Sequence, residues 1–200
     1  MDVAGELFAE QGFRQTSIRD ICAHANVNLS AVNYHFRDKE GLYEAILLRS
    51  LGQCQCLYPI VETEGPAEIR LAGFVRMFLL RILGSGQPTW HGKLMAAEMA
   101  NPTNALNKLV EQAARPTHEI LLGIVRDLMS ASSNSSHVET VASSILGQCL
   151  FYRHARPVIE LLGVSIPQTE AEIETLAHHI TQFSLAGLSA VGAEASGVVE

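Results

Sequence analysis

Apolar residues recur along this chain at intervals of three and four, and no run alternates with period two over the length of a strand. Val3, Ala4, Leu7 and Phe8 share one helical face, which stops at Gly12, where a glycine suits the residue that closes a helix. A second helix opens at Thr16-Ser17, where a hydroxyl can cap exposed N–H groups and Asp20 follows three residues after Ser17. Its apolar face is Ile18, Ile21, Cys22 and Ala25. Asn26-Val27 turns the chain, Asn28 is an N-cap, and a third helix runs to about Phe36. After "RDKEG" a fourth extends from Leu42 to about Gln55.

The third helix is unusual. Ser30, Asn33, Tyr34 and Arg37 share one face, and that face is polar, while Val32 and Phe36 form the side that can be anchored. Three short helices, the last two joined by a tight turn, make a helix-turn-helix unit whose final member is a recognition helix. In a major groove, Asn can pair in bidentate fashion with adenine, and Tyr or Ser can reach phosphate or base edges. Free N–H groups at Asn28 to Ser30 add a site for phosphate. The alternative is a solvated face on a helical bundle.

Beyond residue 48 the pattern predicts a second, larger helical domain, so the reading is all-α with domains at 1–48 and 49–200. Pro59, Gly65 and Pro66 precede a helix over Ala67–Leu83; a loop at 84–88 leads to another over Trp90–Ala100. A helix from Asn104 to Ala114 is followed by one opening at Pro116 and reaching Met129, then by a loop at 130–136. Two long helices, His137 to Arg156 and Ala171 to Ala190, complete the set, and the tail from Gly192 is expected to fray.

Composition narrows the function classes. The 200 residues carry a net charge of −7, which argues against wholesale nonspecific binding to nucleic acid, although four basic residues lie between positions 14 and 39. No apolar run approaches the roughly 20 residues of a membrane span, and the N-terminus lacks a basic signal region. Cys22, Cys54, Cys56 and Cys149 sit irregularly in apolar patterns, as reduced thiols of a cytoplasmic protein do. Neither they nor the adjacent His178-His179 have metal-site spacing, so no metal or other cofactor is expected. With no Gly-rich phosphate loop, G-x-S-x-G or H-E-x-x-H, no catalytic residue is assigned and an enzyme is not expected.

Residues 4–50 resemble the TetR family of bacterial regulators. The resemblance is carried by "LFAEQGF", by Thr16-Ser17 opening the second helix, by Ile21 with Ala25-Asn26-Val27, by the triplet Tyr34-His35-Phe36, and by Lys39-Glu40 with Leu42. "AEMANPTNALNKLVEQAARP" and "ILGQCLFYRHARPVIELLG" are similar to the C-terminal domain of its CecR-type branch. The resemblance implies a homodimer on a palindromic double-stranded DNA operator, usually repressing until a small molecule in the second domain releases it. Matching positions put phosphate contacts on Thr16, Ser17, Tyr34 and Lys39, and base-edge contacts on Asn28, Ser30, Asn33 and His35; periodicity adds Arg37. Family members usually begin with a basic segment, whereas here Asp2 and Glu6 stand almost at the start; either a basic arm precedes this sequence, or weakened binding with a shallow salt dependence is expected. A helical ligand- or partner-binding protein with weak or lost DNA binding is the alternative.

For the effector, the resemblance points into the second domain. The aromatic, methionine and polar candidates there are Trp90, His91, Met95, Glu98 and Met99 with Phe151, Tyr152 and His154. For the dimer contact the last two long helices offer Ile145, Cys149, Ile173, Ile180, Phe183 and Gly187, which could equally form an internal core.

Overall fold

The computed structural model describes residues 1–61, 64–85, 90–129 and 134–197, with side chains up to Ala190. Among the described residues there is no strand. The helices are α1 (Asp2–Gln11), α2 (Ile18–Ala25), α3 (Leu29–Phe36), α4 (Lys39–Leu57), α5 (Ala67–Leu83), α6 (His91–Ala100), α7 (Ala105–Leu109), α8 (Arg115–Leu128), α9 (Ser135–His154), α10 (Arg156–Leu161) and α11 (Glu170–Gly197). The all-α expectation therefore holds. The loops expected at 84–88 and 130–136 fall largely outside the described residues, and α11 continues past Gly192 to Gly197 instead of ending near Ala190.

Local chemistry accounts for the early boundaries. Gly12 closes α1 with φ 81, and Asn26 closes α2 in the left-handed conformation, φ 51 and ψ 46, which Asn tolerates better than most residues. Ser17 accepts from the backbone N–H of Asp20 at 3.1 Å, and Asn28 from that of Ser30 at 2.8 Å, capping α2 and α3. α4 starts at Lys39, three residues before the apolar pattern, because the Asp38 carboxylate accepts from the N–H of Gly41 at 2.8 Å. Only glycine fits at 41: a Cβ there would lie 2.1 Å from the Phe36 carbonyl oxygen.

From Ala105 to Leu128 the chain stays helical, with Val110–Ala114 as a π-helical turn between α7 and α8. The expected break at Pro116 is absent. Proline has no N–H to give and its ring crowds the preceding turn. The wider turn just upstream, closed by the Arg115 N–H on the Val110 carbonyl, lets the helix pass it.

The chain forms two compact units: Met1–Cys56 with Gly86–Arg115, and Leu57–Ser85 with Pro116–Glu200. In the first, α6 and α7 pack with α1–α4 around Phe8, Leu47 and Leu94, all 0% exposed, a grouping that a boundary at 48/49 does not anticipate. Each such side chain contributes about 1.5–3 kcal/mol by burial. In the second, α5 is the central element, with Leu71, Val75 and Leu79 facing α8, α9 and α11.

Candidate nucleic-acid interface

α3 is held by its apolar side: Val32 is buried in the first unit's core and Phe36 packs against it half-buried. The rest of the helix faces solvent. Ser30, Asn33, His35 and Arg37 are exposed, as is Asn28 ahead of it, and Tyr34 reaches 84% exposure. The tyrosine and imidazole rings of Tyr34 and His35 meet edge to face at 5.2 Å. Arg37, which ends α3, is held at φ 70, a left-handed conformation that a long side chain adopts at a cost.

Three expected phosphate contacts are engaged inside the unit. Thr16 is 1% exposed and its hydroxyl donates to the carbonyls of Gly12 at 2.9 Å and Leu7 at 3.3 Å, so it ties α2 to α1 and does not face solvent. Lys39 donates to the carbonyls of Phe13 at 2.9 Å and Arg14 at 3.3 Å, with its ammonium 4.6 Å from the Phe13 ring centroid. Two of its three donors are thus used on the α1–α2 turn. Ser17, half-buried, caps α2 and also donates to the Asp20 carboxylate at 2.6 Å. Arg14 and Arg19, absent from the expected set, stand exposed on the turn after α1 and in the first turn of α2.

Behind α3 lies a buried polar contact. Tyr43 on α4 is 2% exposed, its ring edge-on to Phe8 at 5.0 Å and tilted on Phe13 at 4.8 Å. Its hydroxyl donates to Glu98 at 3.0 Å; the fully buried carboxylate also accepts from the Thr103 N–H at 2.8 Å and hydroxyl at 3.0 Å. Burial first, then the Glu98 charge and hydrogen bond, push the Tyr43 phenol far above its ordinary range. Further along α4, Ser50 and Cys54 meet the two ring nitrogens of buried His91, the thiol at 3.8 Å. Two open clefts of 540 and 760 Å³ flank this region, the first between the end of α3 and α7, the second between the α1–α2 turn and the α6–α7 corner.

The effector candidates are distributed over both units. Trp90 packs under α1, so close to Gly5 that a Cβ there would come within 2.6 Å of the indole. Met95 lines the same core half-buried, and Glu98 is spent on Tyr43 and Thr103. Met99 is exposed. Phe151, Tyr152 and His154 belong to the other unit, where Phe151 and His154 face solvent and Tyr152 packs half-buried on the core. The eight residues therefore do not line one pocket within either unit.

The dimer candidates divide too. Ile145, Cys149, Ile173 and Ile180 are at most 2% exposed, in the second unit's own core, and have no surface to offer a partner. Burial pushes the Cys149 thiol up to about 12. Phe183, 64% exposed, and Gly187 point outward. Among the described residues no cluster of three or more His, Cys, Asp or Glu side chains could hold a metal ion.

Comparison with known proteins agrees with this geometry. Residues 1–46 match the family of bacterial regulatory proteins called tetR, and residues 67–188 match the C-terminal domain of the HTH-type transcriptional dual regulator CecR. The dual regulator CecR of Shigella flexneri is 24% identical over 197 residues, covering 91% of this chain and 87% of that one. The transcriptional repressor KstR2 of Rhodococcus jostii (strain RHA1) is 40% identical over 47 residues, 24% of this chain and 23% of that one. A tetR-family regulatory protein from Rhodococcus RHA1 shares the fold, with a TM-score of 0.65 at 17% identity over 93% of both chains. This is a family of regulators and not of enzymes. The chain belongs to the TetR family of transcriptional regulators, with a C-terminal half of the CecR kind.

Proposed function

We propose that the protein acts in the cytoplasm as a homodimeric repressor of a palindromic double-stranded operator and is released by a small-molecule effector. The observation that carries this reading is the outer face of α3, where Ser30, Asn33, Tyr34, His35 and Arg37 are all exposed on a helix pinned by Val32 and Phe36. Asn28, Ser30, Asn33 and His35 read base edges, while Tyr34, Arg37, Ser17 and the exposed Arg14 and Arg19 hold phosphates. Thr16 and Lys39 support this surface from behind. Two such helices, one per protomer, enter successive major grooves about 34–36 Å apart.

The twofold contact is proposed on the outward faces of α9 and α11. Ser143, Ser144, Gly147 and Phe151 line one, and Phe183, Ala186, Gly187 and Ala190 the other, all exposed. A Cβ at Gly147 or Gly187 would meet nothing within 4 Å in the chain, so both helices present open, small-residue surfaces to a partner. Paired across a twofold axis they make a four-helix bundle. The effector shifts the dimer toward a geometry that cannot seat both recognition helices at once.

The test is fluorescence anisotropy of the purified protein on its own upstream intergenic DNA, titrated at several salt concentrations against scrambled DNA. Sequence-dependent binding in the nanomolar range is expected, with a salt slope of about −0.9 per phosphate engaged. Equal affinity for both DNAs would refute the regulator reading in favour of a helical ligand- or partner-binding protein. Light scattering in the same buffer reads the dimer.

A further inference from the structure

Arg81 stands in the last turn of α5, inside the second unit. Its Nε and Nη2 both donate to the carbonyl oxygen of Tyr58, at 3.3 and 2.9 Å, and its Nη1 donates to the Thr117 hydroxyl at 3.2 Å. Tyr58 in turn donates its own hydroxyl to the Ser85 carbonyl at 3.1 Å. Its ring lies so near Gly84 that a Cβ there would come within 3.1 Å of Cζ. One guanidinium and one phenol thus tie together residues 58, 84, 85 and 117.

Those positions share a property that packing does not require. The chain enters this unit at Leu57, leaves it after Ser85 and re-enters at Pro116. Every passage of the backbone into or out of the unit therefore lies within two residues of a group held by Arg81 or Tyr58. Tyr58 directly follows Leu57, the last residue of α4, and the other end of α4 adjoins the α3 cap at Arg37 and Asp38. A cation there also suits the negative end of that helix. The guanidinium keeps its charge at every physiological pH and spans two acceptors with a fixed fork, which a lysine ammonium on a flexible stem cannot reproduce.

We propose that Arg81 is a positioning residue for regulation: through Tyr58 and Thr117 it sets the three connecting segments as one body, so that a change in α5 or α8 reaches all of them together. This rests on the regulator reading above, and the experiment separates the two. Hydrogen exchange is followed by mass spectrometry on the full chain, free and saturated with its upstream DNA fragment. In the unaltered protein DNA slows exchange in α2–α3 and also, by at least about fivefold, in residues 79–85 and 117–121. In Arg81→Met the slowing stays in α2–α3 and falls below about twofold in the other two segments. Thr117→Val, which keeps the Tyr58 contact, gives an intermediate loss and carries the test if Arg81→Met does not fold.

Arg76→Met is the control. It removes a surface cation of the same helix that pairs with Glu170 at 3.0 Å, and it behaves as the unaltered protein. A merely structural arginine would lower stability without erasing the response to DNA. Retention of the slowing in Arg81→Met, or its absence from the second unit of the unaltered protein when DNA is bound, overturns the proposal. Failure of the unaltered protein to bind DNA overturns the regulator reading itself, and the proposal with it.

Discussion

Tyr43→Phe removes one oxygen and leaves the ring where it is. Phe8 and Phe13 already hold that ring at 5.0 and 4.8 Å, so no cavity of consequence opens. What changes is Glu98. Its Oε2 loses the phenol at 3.0 Å and keeps the Thr103 hydroxyl at 3.2 Å, while Oε1 retains the Thr103 N–H at 2.8 Å. The residue is 0% exposed, so water does not replace the missing donor. A hydrogen bond to a charged group contributes about 1.5–3 kcal/mol, and a value near 2 is expected here. With a urea slope of about 2 kcal/mol/M, the midpoint falls by about 1 M. Trp90 is the chain's single tryptophan and lies buried under α1 in the same unit, so its fluorescence follows this unfolding. In a Glu98→Gln background the same substitution should cost less than about 1 kcal/mol, because the charge that needed the donor is gone. A loss below about 0.5 kcal/mol for Tyr43→Phe alone, or an equal loss in both backgrounds, would refute the account.

Four further outcomes follow from the same contacts. Asn33→Ala and Tyr34→Ala each weaken operator binding by about 1–3 kcal/mol, roughly 5- to 150-fold by anisotropy, and leave the melting temperature unchanged because both side chains are exposed. Thr16→Val lowers stability by about 1–2 kcal/mol in urea but leaves the salt slope of DNA binding where it was; a drop of about 0.9 in that slope would restore Thr16 as a phosphate contact. Phe183→Asp shifts the protein toward monomer in light scattering while its circular dichroism stays helical, since the ring it removes is 64% exposed. Cys149 is raised from about 9 to about 12, and Tyr43 stands above its ordinary value of about 10. A group raised in the folded state supports folding below its unfolded value and loses that support as pH climbs past it. Stability thus holds up to about pH 9 and declines above it, and Cys149→Ala flattens the decline between pH 9 and 10, as chemical denaturation in alkaline buffers will measure.

The DNA-binding half was legible wherever its chemistry is local. Gly12, Ser17, Asn26 and Asn28 act on groups within a few residues: Gly12 and Asn26 end helices through their positive-φ backbone, and Ser17 and Asn28 begin them with side-chain caps. The polar face of α3 was equally plain, because a helical repeat needs no knowledge of the rest of the molecule. Thr16 and Lys39 are harder to read: Thr16 donates to Gly12, four residues back, and to Leu7, nine back, and Lys39 donates to Phe13, 26 back. A hydroxyl or ammonium at those positions reads the same whether it meets a phosphate or a carbonyl. Glu98 is the extreme case, since its partner Tyr43 is 55 residues distant. In α9 and α11 two stripes run side by side, one of Ile145 and Cys149, the other of Ser144, Gly147 and Phe151. The more apolar stripe went into the chain's own core, which left the small residues and single aromatics outside. Arg81 carried no sequence signal, because a carbonyl acceptor leaves no mark on residue identity.

The π turn at Val110–Ala114 reads as an insertion kept in place. One residue more than an α-helix requires is wound into that turn, and everything after it is rotated by about 100° relative to an uninterrupted helix. Deleting a single residue there would restore ordinary winding across the turn that the Arg115 N–H now closes on the Val110 carbonyl. It would also bring the Pro116 ring back against the turn before it. The extra residue and the proline are thus mutually dependent: a lineage that lost one would come under pressure to lose the other, and the pair is expected to be gained or lost together among related chains.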